Sequence, residues 1–420
     1  MNSVVMNTVA IRRLRFGLCS ASLMLLFGCG KYDPPQYSLN MVAIATRQIP
    51  YDQQQEVANI LEALFGTPDK PFVLAETGLD ARQLAVAAGP VRSDEFGRET
   101  GLYRRHCGHC HGTTGDGLGP TALLLNPYPR DYRPGKFKFK STERAAKPTE
   151  ADLDLVLRRG VQGTAMPSFD LLPDAQVKAL AEYVKYLSMR GQVEIRLIDA
   201  MAELGEGEKL QMTRSVLVDE ILKPIAESWT TASDSIIKPE EKPAVELADS
   251  IARGRELFYG TKGNCAKCHG PSALGDGQTS DYDDWAKPVM ELAKDLVGEK
   301  ERLDTEKDLT SEDRIALKMH VALASSALKT DSLPPRTAQP RNLRQGIYRG
   351  GRAPVDLYRR IYAGVNGMPM PAVGPASPGA KGTMEPAEIW NLVDYVMSLP
   401  YEAISQPPRH QRTTLSKANY

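Results

Sequence analysis

Hydrophobic positions along this chain recur at helical spacing, in blocks separated by Gly- and Pro-rich stretches. Residues 52–65 predict a helix, ended by 67–71 with its prolines at 68 and 71. Residues 174–187 and 385–399 each predict another, with Pro173 and Pro386 near their starts, where helix N-termini favour proline. Residues 194–204 and 210–225 are helical by period, and 283–307 and 312–328 are charged and helix-prone. The rest of 30–91 reads as extended wrapping. The one long apolar run with few polar residues spans 16–27 and follows Arg12, Arg13 and Arg15. That is the layout of a secretory signal, too short to span a bilayer.

Composition adds limits. The chain has 420 residues, 42% hydrophobic and 25% charged, which excludes disordered, collagen-like and disulfide-dense classes and leaves room for two or three domains. Lys+Arg and Asp+Glu are both 52, so no basic excess points to nucleic acid. Residues 1–28 hold three arginines and no acid; without them the net charge is −3.

The apolar run ends in Leu26-Phe27-Gly28-Cys29, which resembles the bacterial lipobox. That resemblance implies a signal peptide over 1–28, lipidation at Cys29, and an exported protein tethered on the periplasmic side of a membrane.

Of the six cysteines, Cys19 would leave with such a signal and Cys29 would take the lipid. The other four stand in Cys107-Gly108-His109-Cys110-His111 and Cys265-Ala266-Lys267-Cys268-His269. A lone C-x-x-C fits a redox dithiol, and four cysteines fit a zinc ribbon or two disulfides. A histidine directly after each pair, twice in one exported chain, points instead to covalent haem c. Two thiols on one helical turn reach the two vinyl groups of one porphyrin, and the next histidine lies beneath the iron.

An internal repeat extends the pattern. Gly160-Val-Gln-Gly-Thr-Ala-Met166-Pro167 aligns without gaps on Gly364-Val-Asn-Gly-Met-Pro-Met370-Pro371. Gly115-Asp116-Gly117 recurs as Gly275-Asp276-Gly277. Pro-Arg-Asp at 129–131 has an echo in Pro-Arg-Asn at 340–342, and Arg130 or Arg341 is a candidate partner for a haem propionate. Met368 is a rival to Met370; His320, in a helical stretch, is a rival ligand. His106 and His109 read as neighbours of the porphyrin edge, and His410 sits in a polar tail.

Each half thus runs helix, C-x-x-C-H, Gly-rich loop, helix, Met-Pro loop, closing helix, and closely resembles class I cytochrome c. The resemblance implies an all-α fold: two class I cytochrome c-like domains joined by a helical linker. It implies His111 and Met166 as axial ligands of one iron, and His269 and Met370 of the other. The boundaries read as an N-terminal extension at 29–91, domain one at 92–191, an acidic helical linker at 192–247, domain two at 248–404 and a polar tail at 405–420. From haem His to axial Met there are 55 residues in domain one and 101 in domain two. The surplus is a charged insert at about 279–336, which reads as a cover for the second haem, a docking element or a solvated excursion.

The function expected is electron relay by a lipid-anchored dihaem cytochrome in a respiratory chain, alone or as a subunit of a quinol-oxidising or terminal oxidase complex. Its partners would be redox proteins. The rival class is enzymatic, a dihaem peroxidase or dehydrogenase. A peroxidase needs one haem with an open distal side, whereas both halves place a Met in the same loop. A thiolate-ligated sulfur dehydrogenase would need a cysteine that is not left over. A structural subunit is the third reading.

Overall fold

The computed structural model describes residues 34–204, 208, 210, 212–375 and 382–402. The signal segment, Cys29, His410 and the polar tail lie outside the described residues. Described residues 36–402 form one compact unit, and no described helix is long and apolar enough to cross a membrane. The protein is all-α, with one two-stranded hairpin: β1 (Arg92–Ser93) pairs antiparallel with β2 (Glu99–Thr100).

Domain one is built on α7, Asp174–Ala202. Against it pack α2 (Tyr51–Phe65), α3 (Ala81–Ala87), α4 (Leu102–His106) and α6 (Glu150–Arg159). Val57, Leu61 and Phe65 of α2 and Leu84 and Ala87 of α3 are buried, one stripe per helix, as an amphipathic period requires. Side chains close the exposed helix starts: Asp80 accepts the N–H groups of Arg82 and Gln83, and Thr149 with Asp152 forms a reciprocal capping box on α6.

Two sequence expectations change here. The periods at 174–187 and 194–204 are one unbroken helix. Gly191 is not a break: a Cβ there would run into the Arg133 backbone, so glycine admits that chain against α7. The linker is also not a free spacer. A wide-turn segment, Val216–Leu222, runs into α8, Lys223–Thr230. Leu222, Ala226 and Trp229 join the domain-one core, with Trp229 edge-on to Phe137 at 5.5 Å, and Ile237 N–H bonds the Ser141 carbonyl at 2.9 Å.

Domain two rests on a crossing of α9 (Leu247–Tyr259) with α14 (Pro386–Ser398). Gly254 lets the helices meet: a Cβ there would collide with the Asn391 carbonyl and Tyr395. Phe258 packs edge-on against Tyr395 at 5.4 Å, above Leu357 and Tyr358 of α13, Pro354–Ala363. Domain one follows the same order with a short helix, the five residues of α4, ahead of its C-x-x-C-H. The N-terminal extension adds cover through α2 and α3.

The insert folds as a helical hairpin, α11 (Ala286–Thr305) and α12 (Ser311–Thr330). It docks inside the chain, not in solvent. Leu292, Leu296, Ala324 and Ala327 close a small core on Val42 and Ala45 of α1, Met41–Thr46. His320 is buried there; its Nε2 bonds the Ala45 carbonyl at 2.7 Å and its Nδ1 lies 2.6 Å from Glu299 Oε1. Both ring nitrogens are engaged, so His320 is spoken for as a structural tie.

A repeated thiol and imidazole site at the seam of two domains

Both C-x-x-C-H segments close one helical turn, in α5 (Gly108–His111) and α10 (Ala266–His269). The N–H of His111 bonds the Cys107 carbonyl at 2.9 Å, and that of His269 bonds Cys265 at 2.8 Å. This places the two thiols and the imidazole of each copy along one turn. Each imidazole is then fixed by its other nitrogen. His111 Nδ1 donates to the Arg130 carbonyl at 2.9 Å, and His269 Nδ1 to the Arg341 carbonyl at 3.2 Å. That bond sets the tautomer and leaves Nε2 as the lone-pair nitrogen. Burial depresses both imidazoles, His111 to about 4, against the opposing carbonyl bond, so the neutral form is the one presented.

The Gly-rich loops also match, in a different register from the sequence alignment. Gly117 N–H bonds the His111 carbonyl at 3.0 Å, and Gly275 N–H bonds His269 at 2.8 Å. Gly117 therefore pairs with Gly275, and the second Gly-Asp-Gly lies two residues late. Gly115, at φ 74°, corresponds to Ala273, at φ 57°; the carbonyl of each accepts the N–H two residues after the Arg, from Tyr132 and Leu343. The Met loops do keep the sequence register. Val161 N–H bonds the Met166 carbonyl at 3.2 Å, and Val365 N–H bonds that of Met370 at 3.3 Å, each after a left-handed glycine, Gly160 or Gly364. Met368 instead lines the cleft between the domains.

In domain one, Cys107, Cys110, His111 and Met166 line a single cavity of about 280 Å³. Its walls are Leu153, Val156, Leu157, Phe169 and Val184, with Tyr132 stacked on His111 at 4.8 Å. Burial pushes Cys107 up to about 12 and Cys265 to about 11. Burial thus favours the neutral thiol at Cys107 and Cys265. Among the described residues the four cysteines are free, and no cluster of three or more His, Cys, Asp or Glu is arranged for a metal ion. The donor set suits a porphyrin instead: two thiols for its vinyl groups, a neutral imidazole, a soft thioether and an apolar surround.

The domains exchange contacts at these sites. Arg144 of domain one donates to the carbonyls of Met370 (2.7 Å) and Met368 (2.9 Å). Arg349 of domain two lines the domain-one cavity and donates to Gly163 on the Met166 loop at 3.3 Å. Trp285 of the insert stacks on Arg130, with the guanidinium carbon 3.5 Å from the ring centre, and its Nε1–H bonds the Asp131 carbonyl at 3.2 Å. Its far edge covers Gly367 of the Met370 loop, where any Cβ would strike the indole. Sequence reading missed Arg144, Trp285 and Arg349. Only the Gly-Gly after Arg349 hints at the close approach: a Cβ on Gly350 would meet the ring of Phe139, another wall of the cavity.

The model of the family "Cytochrome C oxidase, cbb3-type, subunit III" matches residues 97–184, and that of "Cytochrome c" matches 251–400. No curated protein matches. A solved structure from the Kuenenia stuttgartiensis reducing HAO-like protein complex is 22% identical, covering 73% of this chain and 97% of its own, with a TM-score of 0.41. The two family matches fall on the two C-x-x-C-H halves, bring with them covalently bound haem c and electron transfer, and identify the chain as two cytochrome c domains in tandem.

Proposed function

We propose that the protein is an exported, lipid-anchored dihaem cytochrome that passes single electrons between respiratory proteins on the periplasmic side of a membrane. The observation that carries this reading is the duplication of one hydrogen-bond plan: imidazole to Arg carbonyl, and Val N–H to Met carbonyl, in both halves. Bound haem iron, alternating between its ferric and ferrous states, supplies the one-electron chemistry. The chain's part is to hold and bias it. Cys107 with Cys110, and Cys265 with Cys268, anchor one porphyrin each. His111 and His269 present Nε2, their rings set by the Arg carbonyls. Met166 and Met370 offer a soft sulfur, which favours the reduced metal and raises its potential. Leu153, Leu157 and Val184 exclude water from the first site.

Cys29 would tether the chain by lipid, and its partners would be a membrane quinol-oxidising complex and a terminal oxidase or soluble cytochrome, with the chain free or as a subunit of such a complex. The test is an absorption and redox titration of the purified protein. Two haems per chain are expected, both low-spin, each with a thioether-to-iron band when oxidised. A colourless protein, or a high-spin site that turns over peroxide, would reject the relay. Release of Cys29→Ser from the membrane fraction would support the anchor; retention would reject it.

A further inference from the structure

At the seam, four half-buried cations gather with few acids to match them. Arg349 and Arg341 each keep a buried Nε with no hydrogen-bond partner among the described residues. Arg130 has Trp285 against its face and no salt bridge among the described residues, with the Asp283 and Asp131 carboxylates near enough only to favour its charge. Lys138 is the fourth cation, and among the described residues its paired acid is Asp283, at 3.7 Å. Arg130, Lys138 and Arg349 all line the domain-one cavity, and Arg341 joins them in the adjoining cleft. Tyr128 adds a buried hydroxyl without a partner on the same wall. Burying a charge is costly unless it is paired, so this cluster is built around an anion.

Arg349 is the informative member, because it comes from the other domain. Its backbone is pinned: its carbonyl accepts from Arg360, and the next residue, Gly350, is packed on Phe139. Its guanidinium already reaches the Met166 loop. We propose that Arg349 completes the haem site of domain one in trans, its guanidinium fork pairing with a carboxylate of the haem bound at Cys107 and Cys110. A planar fork matches a carboxylate in two parallel bonds, and a fixed side chain spends little entropy to make them. The proposal rests on the haem reading above. It adds that domain one cannot set its own potential without domain two.

The test is a potentiometric titration of the full-length haem protein, with the domain-one step identified from its shift in Met166→Ala. A cation beside the haem favours the electron-rich reduced form, so Arg349→Gln should make the domain-one haem harder to reduce. The expected change is about tenfold in the reduction equilibrium, about 59 mV for a one-electron couple. The domain-two step should move less. Arg349→Lys keeps the charge and loses the fork, and should shift the same step by a smaller amount while folding as wild type. A domain-one step unmoved in both variants, with both haems attached, overturns the proposal and leaves the haem reading standing. A domain-one step in the wild type that follows phosphate concentration would mean that a solution anion fills the cluster, and would also overturn it. Absence of covalent haem would instead defeat the underlying reading.

Discussion

The two domains share a site and differ in the packing ahead of it. Each has the same turn of thiols and imidazole, the same imidazole-to-carbonyl bond and the same Met loop. Domain two braces them with its own helix crossing, α9 on α14, closed at Gly254. Domain one has only α4 ahead of its site, and it recruits the N-terminal extension and the linker onto α7. The comparison teaches that the local hydrogen-bond plan is the conserved quantity between the copies. The outer packing is free to change, provided something covers the same faces.

The largest effect should come from removing one anchor at a time. Cys107→Ala with Cys110→Ala is expected to halve the covalent haem per chain, read by haemochrome absorbance and iron content. Cys265→Ala with Cys268→Ala should remove the other half. If either double variant lost both haems, the sites would not be the separable units described.

Next come the methionines. Met166→Ala and Met370→Ala should each convert one haem to high spin and make it harder to reduce by at least about tenfold, near 59 mV. Met368→Ala should leave the spectrum of domain two in place. High spin from Met368→Ala, with Met370→Ala silent, would break the equivalence of the two loops.

Stability sharpens the contrast further. Gly254→Ala forces a methyl into the Asn391 carbonyl and should cost domain two about 1–3 kcal/mol, with little change in domain one. A domain-resolved thermal melt, followed at the two haems, would check it. An effect of similar size is expected at the insert. His320→Ala strands the Glu299 carboxylate and the Ala45 carbonyl, a cost of about 1–3 kcal/mol for a group left unsatisfied, and hydrogen exchange should rise in α1. Unchanged exchange there would remove the hairpin's role as a clasp.

What the sequence shows and hides follows from the range of the forces involved. The C-x-x-C-H turns and the Met loops were legible because their chemistry fixes residue types at short spacing. The Gly-Asp-Gly repeat holds at its aspartate, since Asp116 and Asp276 each lie against the glycine after the C-x-x-C-H histidine, while the glycines around it slip in register. The backbone pairs Gly115 with Ala273, a left-handed residue that is not glycine and so gives no signal. The insert's helices were visible from their period, but a period does not say which surface an apolar stripe covers, and here the partner is a six-residue helix at the other end of the chain. Arg349 was invisible for the same reason: its role depends on another domain's cavity.

The clasp of α1 by the hairpin also sets an order of events. Ala45 waits for His320, which follows it by 275 positions. A chain emerging N-terminus first has made all of domain one before the surface that seals α1 exists, and contacts this distant in sequence are slow to close. Maturation of the first half is therefore finished only after synthesis of the second, so a truncated chain ending before the hairpin should expose α1 to proteases even with its first haem in place.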